Sequence, residues 1–453
     1  MSQDKLIIVF AKPLYLSQIG KPLGDFSYKK LAKFCNCFKM TFLYQSNTSD
    51  FVEKGERMRS QLMKLLPVAA VIIALTGCNK AEESTAVGGN AATPAAANGG
   101  DIVKIGHAGP LTGGIAHLGK DNENGARLAV EEINAQGLEI NGKKVTLELV
   151  AEDDAGDPKT GTAVAQKLVD AGVVGVVGHL NSGVSIPASA IYNKANIVEI
   201  SPSSTNPEYT AQGFKSTYRV VATDAQQGPA LANYATKTLQ AKTVAIVDDA
   251  TAYGKGLADE FEKTVKASGA TIVAREATND KATDFKSILT KLKGKNPDVI
   301  MYGGMDATGG PFAKQAAELG LKAKLVGGDG ICTDKLAELA GDAVNNIVCS
   351  EAGLAISKME QGTAFAEKFK KRFGNDIQIY APFTYDAVHV IVDAMKRANS
   401  TEAAKILEKM PETNLKGVIG NIAFDNKGDM KEAMITLYNY ANKKKTVLDV
   451  VKM

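Results

Sequence analysis

From Asp101 onward, short apolar segments of strand length alternate with longer segments that have the periodicity of a helix. Ile102–Ala108 has the composition of a buried strand, and Asn122–Gln136 follows it with small and aliphatic residues on one helical face. Lys144–Ala151 predicts the next strand, and Pro158 opens a helix after it, because proline is tolerated in a first helical turn. Six further strand segments repeat the pattern: Val173–Gly178, Ile197–Ile200, Thr243–Val247, Thr271–Ala274, Val299–Tyr302 and Lys324–Val326.

This alternation predicts an α/β fold, in which parallel sheets are covered on both faces by helices. The roughly 350 residues from Asp101 onward exceed one doubly wound sheet of ordinary size, so we expect two such domains. Ligands of open α/β sheets bind beyond the carboxyl ends of the strands. The predicted loops at those ends are rich in Gly, Ser, Thr, Asn and Asp, which indicates a pocket for a small polar ligand that carries both charges.

The charges of the chain are unevenly distributed. Residues 1–77 hold 11 basic and 5 acidic side chains, whereas the remainder holds 42 basic and 45 acidic ones. A mildly acidic body argues against a nucleic-acid partner, because phosphate binding requires a clustered basic face.

Residues 58–77, which precede Cys78, have the features of a lipoprotein signal peptide. A short basic region contains Arg59 and Lys64, and eleven apolar residues, Leu65–Leu75, follow it. This run is short for a transmembrane helix but suits the core of a signal peptide. The segment ends in Leu-Thr-Gly-Cys, which resembles the bacterial lipobox, whose cysteine is acylated and becomes the mature N-terminus. An ordinary secretory signal with a chance cysteine is the alternative, and either one predicts the periplasm or the cell envelope.

The segments on either side of this signal have different compositions. We interpret residues 1–57 as a gene-start artefact, because an export signal normally starts a chain and Met58 or Met63 could begin this one. Residues 78–100 are rich in Ala, Gly, Asn and Thr, so they predict a flexible tether between a lipid anchor and the globular body.

The motifs of common enzyme and metal sites are incomplete in this chain. Gly114–Lys120 has the spacing of a phosphate-binding loop, but Asp121 stands where a Ser or Thr would hold Mg²⁺. Gly178–Gly183 superficially resembles a nucleophile elbow but lacks its G-x-S-x-G spacing and an acid–base partner. We therefore expect no catalytic residue, no metal and no cofactor. No pair among the histidines has the i,i+4 spacing of a helical metal site, and each is better explained as a core or loop residue: His107, His117, His179 and His389.

Cys332 and Cys349 lie 17 residues apart in a chain that carries an export signal. An oxidising compartment favours a disulfide between them, which would close a loop behind the binding face. Two independent buried thiols are the alternative.

Seven short motifs follow one another along the body: Gly109-Pro110-Leu111-Thr112-Gly113, Asp153-Asp154-Ala-Gly-Asp157-Pro158, Gly178-His179-Leu180, Ser201-Pro202-Ser203-Ser204-Thr205-Asn206-Pro207, Gln227-Gly228-Pro229, Tyr253-Gly254-Lys-Gly256 and Asp425-Asn-Lys-Gly428-Asp429. Each alone is weak, whereas all seven in this order and at similar spacing are specific. On these motifs the body from Asp101 to Met453 resembles the periplasmic leucine/isoleucine/valine-binding proteins, the substrate-binding subunits of branched-chain amino-acid ABC transporters.

The resemblance implies a type I periplasmic binding protein fold, in which two lobes joined by three crossings close over a free amino acid. It assigns residues 101–222 and 353–433 to lobe 1, and residues 223–352 and 434–453 to lobe 2.

The resemblance also implies the residues that hold the ligand. Ser182, Ser203 and Thr205 of lobe 1 would bind the carboxylate, in agreement with the partial positive charge and free N–H groups of helix N-termini. Asp329 of lobe 2 would bind the ammonium together with Ser203 and Thr205. The family residue at this place is Glu, so the shorter Asp requires a closer approach or a bridging water. From the residues alone, the Ser and Thr side chains could instead cap helices, and Asp329 could organise its glycine-rich turn.

Six further residues would line the pocket by the same resemblance: Leu118, Leu180, Asn181, Tyr253, Met305 and Tyr380. Tyr253 matches an aromatic residue that closes over the ligand, whereas Leu118 and Met305 stand where the family has aromatic residues. Leu and Met form an adaptable apolar wall, which would accept an aliphatic side chain. Core or surface packing is the alternative for Leu118, Met305 and Tyr380.

Together these inferences predict a monomeric, lipid-anchored extracytoplasmic receptor. It would capture a free L-amino acid, branched-chain or related aliphatic, and deliver it by lobe closure to an inner-membrane ABC permease. The alternatives are a sensor or transport receptor for amides or other small polar metabolites and, more remotely, an exported hydrolase.

Overall fold

The computed structural model of the chain describes residues 100–452. The predictions made for residues 1–57, for the signal peptide at 58–77, for Cys78 and for nearly all of the tether at 78–100 lie outside the described residues. Among the helices of the described part, none combines the length and the apolar character that a bilayer span requires.

The first sheet has six strands in the spatial order β2-β3-β1-β4-β5-β6. The strands are β1 (Asp101–Gly109), β2 (Leu138–Ile140), β3 (Lys143–Asp153), β4 (Gly175–Gly178), β5 (Val198–Ser201) and β6 (Thr217–Arg219). Pairing is parallel from β3 through β1, β4 and β5 to β6. Strand β2 is antiparallel to β3, because Asn141 and Gly142 turn the chain with φ angles of 52° and 70°. These angles are typical of a tight Asn-Gly hairpin.

The second sheet has seven strands in the order β15-β14-β11-β10-β9-β7-β8. They are β7 (Thr243–Asp248), β8 (Thr271–Ala277), β9 (Val299–Gly303), β10 (Lys324–Gly327), β11 (Ile347–Glu351), β14 (Met434–Ala441) and β15 (Lys444–Lys452). Strands β7 to β11 are parallel, whereas β14 and β15 are antiparallel. Strands β12 (Leu415–Gly417) and β13 (Gly420–Ile422) form a separate hairpin.

Helices cover both sheets, and their contacts divide the described residues into two halves. The first half consists of the first sheet, the β12–β13 hairpin and the helices α1 (Ala116–Gln136), α2 (Pro158–Asp170), α3 (Ser182–Lys194), α4 (Glu208–Ala211), α10 (Gly362–Phe373), α11 (Ala381–Ala398) and α12 (Ala403–Lys409). The second half consists of the second sheet with α5 (Asp224–Asn233), α6 (Ala252–Ser268), α7 (Lys286–Lys295), α8 (Asp306–Glu318) and α9 (Asp334–Ala340).

Strand β7 shows how the sequence produces this layering. Val244 and Ile246 belong to one buried apolar cluster, whereas Ala245 and Val247 belong to another. Successive side chains of a strand point to opposite faces, so a continuous apolar run buries both faces of its sheet under helices. The α/β class predicted from these runs is confirmed.

Two details of the predicted fold are wrong. The sheets are mixed rather than wholly parallel, since β2, β14 and β15 run antiparallel to their neighbours, and an apolar pattern does not record strand direction. Helix α1 begins at Ala116 rather than at Asn122, so Gly119 lies within a helix and not in a loop. A Cβ at Gly119 would lie 2.1 Å from the Pro110 carbonyl oxygen, so only glycine allows this helix to approach the end of β1.

Within the described residues the chain passes between the two halves after β6, after β11 and before β14. The crossing segments contact one another: the Ala222 N–H donates to the Ala352 carbonyl at 2.9 Å, and the Thr436 hydroxyl donates to the Gly353 carbonyl at 2.8 Å. The lobe boundaries implied by the resemblance, 101–222 with 353–433 and 223–352 with 434–453, stay a prediction.

Cys332 and Cys349 form a disulfide, with their Cα atoms 5.3 Å apart. Cys332 follows the short 3₁₀ helix Asp329–Ile331 after β10, and Cys349 lies in the neighbouring strand β11. The predicted bridge is confirmed, and it ties the turn that contains Asp329 to the sheet.

Replacing both Cys332 and Cys349 with alanine should lower the free energy of unfolding by up to about 3 kcal/mol, because the bridge restricts a 17-residue loop in the unfolded chain. Urea denaturation of the two proteins without reductant measures this difference. A reductant should reproduce the loss in the wild type and leave the variant unchanged, whereas equal stabilities would contradict the expectation.

Candidate functional site

The loops that follow β4 and β5 lie side by side and form one wall of the candidate site. Ser182 is the first residue of α3, and Asn181 caps this helix by accepting a hydrogen bond from the Gly183 N–H at 2.9 Å. The Ser182 hydroxyl accepts a hydrogen bond from the Asn206 N–H at 3.2 Å, so the start of α3 contacts the residue after Thr205. The N–H groups and dipole of this helix terminus favour an anion at this wall.

The loop after β5 is held by its own serines. The Ser203 and Ser204 hydroxyls both donate to the Leu180 carbonyl at 3.1 Å, so these hydroxyl hydrogens serve to position the loop. The Thr205 hydroxyl is also buried, and it lies close enough to the Asp224 carboxyl to lower its pKa without forming a hydrogen bond of good geometry. Buried polar atoms are normally paired, so this hydroxyl is available to a ligand.

Asp329 forms the acidic centre of the opposite wall. One oxygen of its buried carboxylate accepts hydrogen bonds from the Gln227 amide at 2.8 Å and from the Tyr253 hydroxyl at 3.0 Å. The other oxygen accepts from the Tyr380 hydroxyl at 2.6 Å. Burial raises the pKa of Asp329, and these three donors oppose the rise. The structure therefore brings together the predicted residues Asp329, Tyr253 and Tyr380.

Gln227 and Asp224, in α5, complete this wall and were not predicted as site residues. The Gln227 side-chain oxygen accepts from the Asp329 N–H at 3.2 Å and from the Ser350 hydroxyl at 2.7 Å, which turns its amide nitrogen toward the carboxylates. That nitrogen also donates to Asp224 Oδ1 at 3.3 Å. Burial raises the pKa of Asp224 to about 8, and the charge of Asp329 acts in the same direction. The motif Gln227-Gly228-Pro229 supported the family resemblance, but nothing in it indicated that Gln227 would bond two carboxylates.

The predicted apolar wall is buried. All but one of its members belong to the same cluster of buried hydrophobic residues: Leu118, Leu180, Tyr253, Met305 and Tyr380. Gly330 shows where two of them converge, since a Cβ there would lie 2.8 Å from Met305 Sδ and 2.8 Å from the Tyr253 ring. Asn181, the sixth predicted wall residue, is engaged as the cap of α3.

Hydrogen bonds join the two halves across the site. His117 Nε2 lies 2.7 Å from Asp306 Oδ2, and these residues are the direct neighbours of the wall residues Leu118 and Met305. The Asn206 side-chain amide donates to the carbonyl of Ala252, the first residue of α6, at 2.6 Å. The hydrogen bond from the Tyr380 hydroxyl to Asp329 also joins the two halves. The two halves are therefore in direct contact around these residues.

Asp121, which excluded the phosphate-loop interpretation of the sequence, has a clear structural role. Its carboxylate is buried and accepts hydrogen bonds from four consecutive backbone N–H groups, those of Gln378, Ile379, Tyr380 and Ala381, at 2.7–3.0 Å. It therefore holds the segment that carries the Tyr380 hydroxyl to Asp329. Sequence reasoning missed this role, because the two segments are far apart in the chain.

The run that resembled a nucleophile elbow is structural. His179 is completely buried, with its ring nitrogens 2.7 Å from Asp154 Oδ2 and 3.1 Å from the Tyr192 hydroxyl. A histidine that is bonded on both sides and shielded from solvent is not placed to activate a nucleophile. Within residues 100–452, no group of three His, Cys, Asp or Glu side chains is arranged to hold a metal ion.

The chain is similar to known proteins over most of its described length. The family model described as periplasmic binding protein matches residues 102–444. A Leu/Ile/Val-binding protein homolog of Brucella abortus is 36% identical over 332 residues, which are 73% of this chain and 88% of that protein. A leucine-, isoleucine-, valine-, threonine- and alanine-binding protein of Pseudomonas aeruginosa is 34% identical over 340 residues, 75% of this chain and 90% of that protein.

A solved structure shares the fold as well. The branched-chain amino acid transporter substrate-binding protein of Streptococcus pneumoniae, in complex with isoleucine, aligns with a TM-score of 0.72 and 30% identity. The alignment covers 78% of this chain and 100% of that protein.

Proposed function

This chain belongs to the periplasmic binding protein family, and from this premise we propose that it captures a free amino acid with an aliphatic, branched-chain or related, side chain. The family consists of solute-binding proteins of ABC transporters and not of enzymes, and it acts outside the cytoplasm. Cleft closure would present the loaded receptor, as a monomer, to an inner-membrane ABC permease.

The main support for this proposal is that the site has one wall suited to a carboxylate and another wall that carries a buried carboxylate of its own. Ser182 and Thr205 lie with the start of α3 on one side, where N–H groups and buried hydroxyls suit a carboxylate. Asp329 lies on the other side, completely buried, and forms no ion pair with any described Lys, Arg or His. An unpaired buried carboxylate is costly, so a ligand ammonium is the natural partner for it. Ser203 would contribute through its backbone, since its hydroxyl bonds Leu180.

The apolar part of the cleft supports an aliphatic side chain. Leu118, Met305 and Tyr380 are buried in one hydrophobic cluster, and the first two stand where the family has aromatic residues. Thioether and isobutyl groups adapt to aliphatic surfaces of different shape. The relatives with the names given above bind leucine, isoleucine, valine or similar amino acids, which agrees with this wall.

Closure is the step that couples binding to delivery. His117 with Asp306, and Tyr380 with Asp329, connect the two halves directly around the cleft. A ligand that contacts both walls interacts with more groups in the closed state, so its differential affinity shifts the population toward closure.

A thermal-shift screen of the purified protein against the free amino acids tests the proposal. A ligand present at about 100 times its dissociation constant should stabilise the protein by about 2.7 kcal/mol, and aliphatic amino acids should give the largest shifts. The matched control is 4-methylpentanoate, which keeps the carboxylate and side chain of leucine without the ammonium. Stabilisation by amides alone would favour the alternative receptor for small polar metabolites, and no response to any amino acid would contradict the proposal.

Lipid anchoring at Cys78 completes the proposed localisation. Changing Cys78 to serine should move the protein from the membrane fraction to the soluble periplasmic fraction, because a thioether-linked lipid requires the thiol. Fractionation and immunoblotting of cells that express either form provide the measurement. Replacing the nearby Thr76 with serine is the control and should leave the protein in the membrane fraction. A Cys78→Ser variant that stays in the membrane fraction would refute the anchor.

A further inference from the structure

We propose that Asp224 is a second acidic partner of the ligand ammonium, and that Asp224 and Asp329 together bind the amine in exchange for one proton. This inference rests on the amino-acid receptor function proposed above. It adds Asp224 to the residues that bind the ligand. It also predicts that binding releases a proton and that the ligand must carry a charged amine.

The two carboxylates converge on a single nitrogen atom. Gln227 Nε2 donates to Asp329 Oδ1 at 2.8 Å and to Asp224 Oδ1 at 3.3 Å. The orientation of this amide is set by its oxygen, which accepts from the Asp329 N–H and the Ser350 hydroxyl. Asp224 therefore lies beside the predicted ammonium partner, and both belong to the second half of the molecule.

Acceptor atoms around this pair lack donors. Asp224 is completely buried, and its Oδ2 has no hydrogen-bond partner of good geometry among the described residues. The buried Thr205 hydroxyl lies close enough to Asp224 to lower the pKa of that carboxyl, and the Asp224 N–H donates to the Thr205 carbonyl at 2.8 Å. Asp329 Oδ2 accepts from Tyr380 and keeps a second lone pair. A primary ammonium has three N–H donors, so it can satisfy acceptors on all three of these residues.

The charges of the pair are not balanced by the protein. In the described part of the chain, neither Asp224 nor Asp329 forms an ion pair, and Arg219, which lowers the pKa of Asp224, is bonded to Asp429. Burial raises the pKa of Asp224 to about 8, and the charge of Asp329 adds to the rise. Without a ligand, Asp224 is therefore mostly protonated near neutral pH. An ammonium favours two ionised carboxylates, so its binding sends that proton to solvent.

Other titratable and charged groups lie around the pair. Burial raises the pKa values of Tyr253 and Tyr380 well above the ordinary value of tyrosine, which keeps both side chains neutral. The neighbouring glutamates have their own lysine partners, Lys263 for Glu260 and Lys445 for Glu351. The groups that face the pair are Tyr253 of α6, Arg219 of β6 and Tyr380 before α11, and the charge of Glu351 of β11 acts on Tyr380.

Calorimetric titration with L-isoleucine as the probe tests the inference. Titrations of the wild type at pH 7 in phosphate and in Tris, whose ionisation enthalpies differ, count the protons released. We expect release approaching one proton per ligand, and a dissociation constant that falls as pH rises from 6 and levels off above about 8. The slope should approach about tenfold per pH unit well below that value.

Two variants separate Asp224 from buried carboxyls in general. Asp224→Asn should weaken L-isoleucine binding by about 10- to 100-fold and abolish most of the proton release. Asparagine has nearly the same shape as aspartate, but it carries no negative charge and no titratable proton. Asp386→Asn is the matched control: Asp386 is also buried, with its pKa raised to about 6, but it bonds the N–H groups of Val418 and Ile419. This control should leave both affinity and proton count unchanged.

The outcomes distinguish the inference from the function on which it rests. A wild type that binds L-isoleucine without releasing a proton, or an Asp224→Asn variant with unchanged affinity, would overturn the inference and leave the amino-acid receptor intact. A wild type that binds no amino acid would overturn both. The wild-type proton count requires no variant, so the inference stays testable even if Asp224→Asn fails to fold.

Discussion

Replacing Arg219 with methionine should lower the free energy of unfolding by about 3 kcal/mol, the lower end of the usual cost of breaking a buried ion pair by removing one partner, because Asp429 keeps some contact with solvent. The Arg219 side chain is completely buried, and its Nε donates to Asp429 Oδ1 at 2.6 Å. The rest of the guanidinium donates to the Ser204 carbonyl at 2.5 Å, to the Asn206 carbonyl at 3.0 Å and to the Thr210 hydroxyl at 2.8 Å. Methionine keeps much of the side-chain volume but satisfies none of these acceptors.

The effect of Arg219→Met should extend to binding. Its guanidinium holds the carbonyls on both sides of Thr205, so its loss frees the loop that faces the ligand carboxylate. Urea denaturation measures the stability, and calorimetry with an aliphatic amino acid measures the affinity of the folded fraction. The exposed Arg372, which forms a bidentate pair with Glu131 at 2.7 Å, provides the control. Arg372→Met should leave the denaturation midpoint nearly unchanged. Equal effects of the two substitutions would contradict this account.

Replacing Asp329 with alanine should weaken amino-acid binding by about 2–5 kcal/mol, because truncating one partner of a buried, hydrogen-bonded charge pair leaves the other charge without compensation. Asp329 is completely buried and accepts hydrogen bonds from three donors, so we expect a larger loss of binding free energy than for an exposed contact. Isothermal titration calorimetry with the preferred ligand of the screen measures the loss.

Asp329→Asn separates charge from shape in this experiment. The pKa of Asp329 is raised in the folded protein, so the ionised carboxylate disfavours folding once the pH exceeds the pKa of the unfolded chain. Removing the charge should therefore weaken binding while the ligand-free protein stays at least as stable near neutral pH. Unchanged affinity in both variants would show that the ammonium binds elsewhere.

The fold and one part of the site were predictable from local patterns and from motifs. Apolar runs of strand length predicted the parallel strands, because each run buries both faces of its sheet. The loops after those strands contained Ser182, Thr205 and Asp329, and ligands of such sheets bind at the carboxyl ends. The resemblance added their roles in ligand binding, which stay a proposal.

Other residues had no local signal. Gln227 joins Asp224 to Asp329 from a helix about 100 positions earlier in the chain, a separation that no periodicity records. Asp121 was considered only as a failed phosphate-loop residue, although it bonds four N–H groups more than 250 positions away.

The sequence by itself determined the alternation of strands and helices and eight of the parallel strands, because apolar periodicity acts over a few residues. The export signal that we infer is also a property of the sequence alone, since a signal peptide is recognised as a linear segment. Only the tertiary structure decided the direction of the antiparallel strands and the contact between His117 and Asp306. The same holds for the pairing of two buried carboxylates in one wall. These features arise when distant segments pack together and water is removed from their polar groups. Packing and the removal of water both depend on the whole fold.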